Sequence, residues 1–164
     1  MESTLYALLD RNALPYLRYT HPPVYTCEEA ARLCPAMPGA ETKNLFLCDN
    51  KGKRHFLVTV PADASVDLKA LAPLLDAKSV RMASPERLLR CLGLTPGAVT
   101  LLATCNDTDH AVEVVIDRAL WDADAVLAHP LVNTATLSLP HDTMVRFLAV
   151  TGHTARVIDV PRPA

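Results

Sequence analysis

The sequence predicts an α+β fold: one domain over residues 1–164, with helices around a single mixed, strongly bent β-sheet. Three observations lead there. The stretch "ETKNLFLCDNKGKRHFLVTV" (41–60) reads as two apolar strands joined by a tight polar turn. The stretch "SPERLLRCLG" (84–93) carries helix boundary residues at both ends. Between and beyond them, helix-like and strand-like segments follow one another in mixed order, hairpins interspersed with helices.

Taken in order, residues 3–12 place Leu5, Leu8 and Leu9 on one helical face, closed by the polar Asp10-Arg11-Asn12. "PYLRYTH" (15–21) reads as a short strand. Thr26 and Glu29 have capping-box spacing, so a helix runs through Leu33 and stops before Pro35, with a loop to Gly39. Residues 42–48 and 54–60 then pair across Asp49-Asn50-Lys51-Gly52. Asp67 to Leu75 is an amphipathic helix despite Pro73, and Ser79 to Met82 a short strand. Ser84 caps the next helix, Pro85 takes its first position and Gly93 stops it. "AVTLLA" (98–103) and "AVEVVID" (111–117) read as strands around a polar loop from Thr104 to His110. "DAVLAH" (124–129) and "NTATLSL" (133–139) form another pair, and a helix over 140–151 ends at Gly152 before the strand "RVIDV" (156–160).

Bulk properties narrow the function. Half of the 164 residues are hydrophobic and 21% are charged, enough for a packed core and too apolar for a disordered chain. The net charge of -2 argues against a broadly basic nucleic-acid coat while permitting a local basic patch. No stretch has the form of a signal peptide or the length of a membrane span, so a cytosolic, membrane-free protein is expected. Five cysteines without a C-x-x-C pair read as reduced, packed thiols. The six histidines lack metal-ligand spacing, and no phosphate-loop or zinc-protease motif occurs, so neither a metal nor a cofactor is expected.

A few residues could carry chemistry. Lys43 opens a strand directly against Leu45, Phe46 and Leu47. Either its stem lies on these neighbours with the ammonium in water, or its charge is aimed at a phosphate or a developing oxyanion. Asn44 points to the other face of a regular strand. His129, in "AHPLVNTATL", is biased by Pro130 towards extended backbone; it belongs to a simple turn or presents its imidazole to a pocket. Gly152 has a sufficient role as a helix stop, and equally could let backbone N–H groups approach an ester or phosphate, with His153 beside it. Asn106 and Asp107 are a turn pair or a pocket rim. Lys51, Lys53 and Arg54 form one basic turn, and Lys78, Arg81, Arg87 and Arg90 a second, dispersed basic region; either is a solvated face or a track for phosphates.

Together, "KNLFLCDNKGKRHFLVTV", "SPERLLRCLGLTPGAVTLL", "HPLVNTATL" and "RFLAVTGHTARVIDV", in this order and spacing, resemble the prolyl-tRNA editing deacylases, freestanding relatives of the editing insertion of bacterial prolyl-tRNA synthetases. The resemblance covers almost the whole chain and implies a barrel-like sheet. It implies a hydrolase acting in trans on the ester of mischarged tRNA(Pro), without a cofactor, with prolyl-tRNA synthetase as a possible partner; a monomer is the default expectation. Lys43 matches the family's lysine, an electrostatic anchor for the terminal adenosine; Asn44 matches the "KN" of the alanine-clearing branch. His129 matches the "HPL-x-N" histidine beside the small-side-chain pocket, while Gly152 and His153 match a loop facing the ester. Asn106 joins these as a substrate-binding candidate from its own reading as a pocket rim. The alternatives are cysteinyl-, seryl- or threonyl-tRNA editing in the same fold, or a non-catalytic module that binds tRNA or a synthetase.

Overall fold

The computed structural model describes residues 2–23, 26–34 and 36–164. Six helices are described: α1 (Glu2–Arg11), α2 (Cys27–Leu33), α3 (Leu68–Leu74), α4 (Pro85–Leu92), α5 (Arg118–Trp121) and α6 (His141–Thr151). The described strands are β1 (Leu17–Thr20), β2 (Thr42–Asp49), β3 (His55–Pro61), β4 (Val80–Met82), β5 (Val112–Asp117), β6 (Ala125–Ala128), β7 (Ala135–Pro140) and β8 (Ala155–Ile158). The stop expected at Pro35 and the side chain of Cys27 lie outside what is described; Cys34, Cys48, Cys91 and Cys105 are free thiols. No described helix is long and apolar enough to cross a membrane.

The single sheet expected from the sequence is replaced by two, both of open strand order. Five strands run β4-β2-β3-β5-β8, and three run β1-β7-β6. The β2–β3 hairpin forms as expected, in continuous antiparallel register from Thr42 opposite Pro61 to Cys48 opposite His55. Its turn is closed by the Asp49 carboxylate, which accepts from the N–H groups of Lys53 (2.8 Å) and Arg54 (3.1 Å). The Arg54 N–H, ahead of that of Lys53, holds this carboxyl below the usual carboxylate range. β5 and β8 join in parallel, through register that no local pattern announces.

Alternation along the central strands sorts residues onto two cores. Phe46, Leu57, Val114 and Ile116 face the larger core with α1, α4, α6 and the three-stranded sheet; Leu47, Phe56, Val58, Val60 and Val115 face α3. Each fully buried Leu or Phe contributes about 1.5–3 kcal/mol of transfer free energy, so a one-residue slip of β2 on β3 would exchange both faces at prohibitive cost.

One expected strand is absent. Residues 98–103 span two short 3-10 helices, Pro96–Ala98 and Leu101–Asn106, with Val99 and Thr100 extended between them. The Thr100 side chain accepts from the Leu102 N–H (3.2 Å), and the Thr104 hydroxyl donates to the Leu101 carbonyl (3.2 Å), so local bonds satisfy the backbone in place of a ladder. A short buried apolar run is compatible with either form. By contrast α4 matches its boundary residues: Ser84 accepts from the Arg87 N–H, and Gly93 closes the helix at φ 68°.

Candidate functional site

The entrance of β2 is stitched to the end of β6. Ala40 donates to the Ala125 carbonyl and accepts from the Leu127 N–H, each at 2.9 Å, and the Thr42 hydroxyl donates to the Leu127 carbonyl. This anchors Lys43 beside the loop that carries His129. Along Lys43, Asn44 and Leu45, β3 is the single strand partner among the described residues, because β4 joins β2 only from Leu47 onward. Past Thr42, no second described strand pairs with the other edge of β2 until Leu47.

Without a bulge, Lys43 and Asn44 leave opposite faces. Lys43 lies on the side of Leu45, Leu47 and Val60, half-buried, with no hydrogen-bond or ion-pair partner among the described residues. Its long stem can pass round that edge of β2, which a shorter cation could not do. Asn44 faces the larger core, directly opposite Thr59, whose hydroxyl donates to Asn44 Oδ1 at 2.7 Å.

His129 sits just past β6, half-buried, with Nδ1 3.1 Å from the Ala135 carbonyl oxygen. A carbonyl only accepts, so Nδ1 carries the proton and Nε2 keeps its lone pair. Burial pushes the imidazole below its ordinary pKa, the Ala135 carbonyl opposes this, and His21 adds to the lowering. Two residues on, Leu131 is 6% exposed at φ 70°, a backbone state leucine adopts at a cost of about 1–3 kcal/mol, offset here by burial of its side chain.

His21 is a neighbour that sequence reasoning missed. Its Nδ1 donates to the Pro22 carbonyl (2.9 Å), its Nε2 accepts from the Thr136 hydroxyl (2.8 Å), and its ring stands edge-on to His129 with centroids 6.3 Å apart. The signal was present: His21-Pro22 and His129-Pro130 are both His-Pro steps, each holding its imidazole at a strand end.

Asn106, Gly152 and His153 gather elsewhere. Asn106 Nδ2 donates to the Leu92 carbonyl at the end of α4 (2.8 Å). Gly152 ends α6 at φ 81°, where an added Cβ would lie 2.5 Å from His110 Nε2. His153 Nε2 donates to Asp107 Oδ2 (2.8 Å), its Nδ1 lies 2.9 Å from Thr151 Oγ1, and Asp107 also accepts from the N–H groups of Ala111 and Val112. Val112 pairs with His55, whereas Thr59, the partner of Asn44, pairs with Ile116. The two clusters are thus four residue steps apart along the sheet, about 13 Å at the usual strand rise. The structure does not bring Gly152, His153 and Asn106 to Lys43: Gly152 stops α6, the Asn106 amide is taken up by the end of α4, and the His153 imidazole by a buried hydrogen bond to Asp107.

The basic residues divide similarly. Arg54 makes a bidentate pair with Glu113 (2.9 and 2.8 Å) and donates to the Leu75 and Asp76 carbonyls; Arg81 donates to Asp49 O and Arg87 to Gly52 O. These guanidiniums hold the hairpin and its neighbours together. Among the described residues no group of three His, Cys, Asp or Glu side chains could hold a metal ion.

Comparison with known proteins places these features in context. Residues 21–147 match the family model described as the aminoacyl-tRNA editing domain, a span that begins at His21 and includes Lys43, Asn44, Thr59 and His129. The chain is 36% identical over 154 residues to the prolyl-tRNA editing protein ProX of Acetoanaerobium sticklandii, covering 94% of each. It is 38% identical over 140 residues to prolyl-tRNA synthetase associated domain-containing protein 1 of Danio rerio, covering 84% of this chain and 76% of that one. Among solved structures it resembles one provisionally described as a trans-editing enzyme for prolyl-tRNA synthetase, with a TM-score of 0.71 and 22% identity over 99% and 97% of the two chains. It also resembles the hypothetical protein APE2540, with a TM-score of 0.74 and 22% identity over 98% and 99%.

Proposed function

The chain belongs to the aminoacyl-tRNA editing domain family, and from that premise we propose that residues 1–164 act in trans as a deacylase of mischarged tRNA(Pro), with alanyl-tRNA(Pro) as substrate. The observation that carries this reading is the meeting of the β2 entrance bearing Lys43 and Asn44 with the His129 loop, through Thr42 and Leu127. A site that must hydrolyse a small aminoacyl ester and spare a larger one needs a cation for the nucleic-acid end, oriented polar groups for the acyl end and a wall that excludes bulk. A synthetase pocket built for proline rejects smaller side chains by only about 1–3 kcal/mol per methylene, so a second site selecting on size is required.

In the proposed reaction water adds to the ester carbonyl, the bond between the acyl carbon and the ribose oxygen breaks, and the proton lost by water ends on that oxygen. The adjacent ribose hydroxyl of the substrate directs the water. Lys43 neutralises charge at the terminal adenosine and on the developing oxyanion, and binding and orientation supply much of the rate. His129, whose Nδ1 is held by Ala135 and whose Nε2 has no partner among the described residues, accepts a hydrogen bond from the aminoacyl group at Nε2 and borders its side chain, so His129→Ala alters discrimination more than maximal rate. Asn44 positions the same group, in keeping with the alanine-clearing pattern. Asn106, Gly152 and His153 support the fold at the far end of the sheet. The work belongs in the cytoplasm, where charged tRNA is made, and a contact with prolyl-tRNA synthetase would fit it.

The test is amino-acid release from tRNA(Pro) charged separately with alanine, cysteine, serine and proline. Rapid loss of alanine with proline spared, abolished in Lys43→Ala, is the expected result. Folded protein that binds the tRNA and releases nothing would leave a binding module in place of an enzyme.

A further inference from the structure

We infer that Thr59 is a positioning residue that turns the Asn44 carboxamide so that its nitrogen, and not its oxygen, faces the aminoacyl ester. The inference rests on the deacylase reading above and goes beyond it, naming a residue and an orientation.

Thr59 interrupts "FLVTVP" with a hydroxyl in the middle of a central strand, where it is 3% exposed and pairs with Asn44 on one side and Ile116 on the other. A valine would fill nearly the same space and suit a strand equally well, so packing alone does not call for the oxygen. A buried hydroxyl needs a partner, and the Thr59 hydroxyl donates to Asn44 Oδ1 at 2.7 Å. The two ends of a carboxamide are alike in shape and opposite in hydrogen bonding; holding the oxygen commits the other end. Asn44 Nδ2, with two hydrogens, has no acceptor among the described residues.

The chemistry of the commitment is specific. An ester carbonyl and a phosphate oxygen both accept, and both are repelled by a carboxamide oxygen. An ammonium group is repelled by Nδ2. His129 presents the complementary character: with Nδ1 donating to Ala135, its Nε2 is the accepting end. With Thr59 in place, the amide on the β2 face therefore reads the carbonyl side of the aminoacyl group and the imidazole reads a donor. Released by loss of the hydroxyl, the amide can turn over and oppose the carbonyl it should hold.

The experiment compares Thr59→Val, Thr59→Ser and Asn44→Ala singly, and Thr59→Val combined with Asn44→Ala, in single-turnover release of alanine from tRNA(Pro), with thermal melts alongside. Thr59→Val lowers the rate constant about 3- to 10-fold, the worth of one neutral hydrogen bond, and Thr59→Ser restores most of it. In the Asn44→Ala background Thr59→Val has no further effect, since residues acting through one another are not additive. An equal loss in both backgrounds, or none in either, overturns the inference while leaving alanine release by the native protein to speak for the deacylase reading. A second readout needs no substrate: the Asn44 side-chain amide resonances shift in Thr59→Val and return in Thr59→Ser. Unmoved resonances also overturn it, even if the native protein hydrolyses no ester.

Discussion

His153 Nε2 and Asp107 Oδ2 meet 2.8 Å apart, both side chains 3% exposed, at the end of the sheet away from Lys43. Removing one partner of such a pair leaves the other short of one hydrogen bond in a dry interior. His153→Ala and Asp107→Ala should each cost about 1–3 kcal/mol of stability. Urea unfolding checks this. Near-native stability with lost deacylation would return His153 to the reaction centre.

Lys43→Ala should behave in the opposite way. The ammonium holds no partner among the described residues, so its loss should change stability by no more than about 0.5 kcal/mol, while ester hydrolysis falls to background. Paired thermal melts and deacylation rates separate the two effects; a variant that unfolds would show the lysine to be structural.

Gly152→Ala should destabilise the chain by more than about 1 kcal/mol, because alanine is strained at φ 81° and its Cβ would collide with His110. Adding His110→Ala should recover the collision part and leave the backbone part. An unchanged melting temperature in Gly152→Ala would mean that the end of α6 yields.

Stability should fall as the solution is acidified below about pH 6.5, the ordinary histidine range. Burial lowers the pKa of His129, and burial, then the charges of Arg87 and Arg90, lower that of His55. Both therefore bind protons less readily when folded than in the unfolded chain, so their contribution is complete above the unfolded pKa and is lost as pH drops through the folded one. Urea midpoints between pH 8 and 5 measure the slope, and His55→Gln and His129→Gln should each flatten it. A slope identical in native and both variants would assign the acid sensitivity to other groups.

How much of this was legible depended on how local the cause was. The β2–β3 hairpin could be read because Asp49 and Gly52 build its turn within a few residues. Helix α4 could be read because Ser84, Pro85 and Gly93 act on their own neighbours. The 98–103 run could not, since a buried apolar stretch looks alike in a strand and in a 3-10 turn, and Thr100 decided between them. At the site, Lys43, Asn44 and His129 were candidates from the outset, whereas His21 was passed over because its closeness to His129 comes through β1 pairing with β7.

Read alone, the residues determined an α+β domain, its strongest hairpin and best-capped helix, and the editing-domain family, since each rests on short-range pattern or on motif order. Only the tertiary structure decided that the strands divide into two sheets, that Lys43 and Asn44 leave opposite faces, that Thr59 holds Asn44, and that His153 serves a buried pair four strand residues away. Those outcomes depend on register and on pairings between distant segments, whose free energy comes from burying both faces of the central sheet at once, a quantity that no window of neighbouring residues contains.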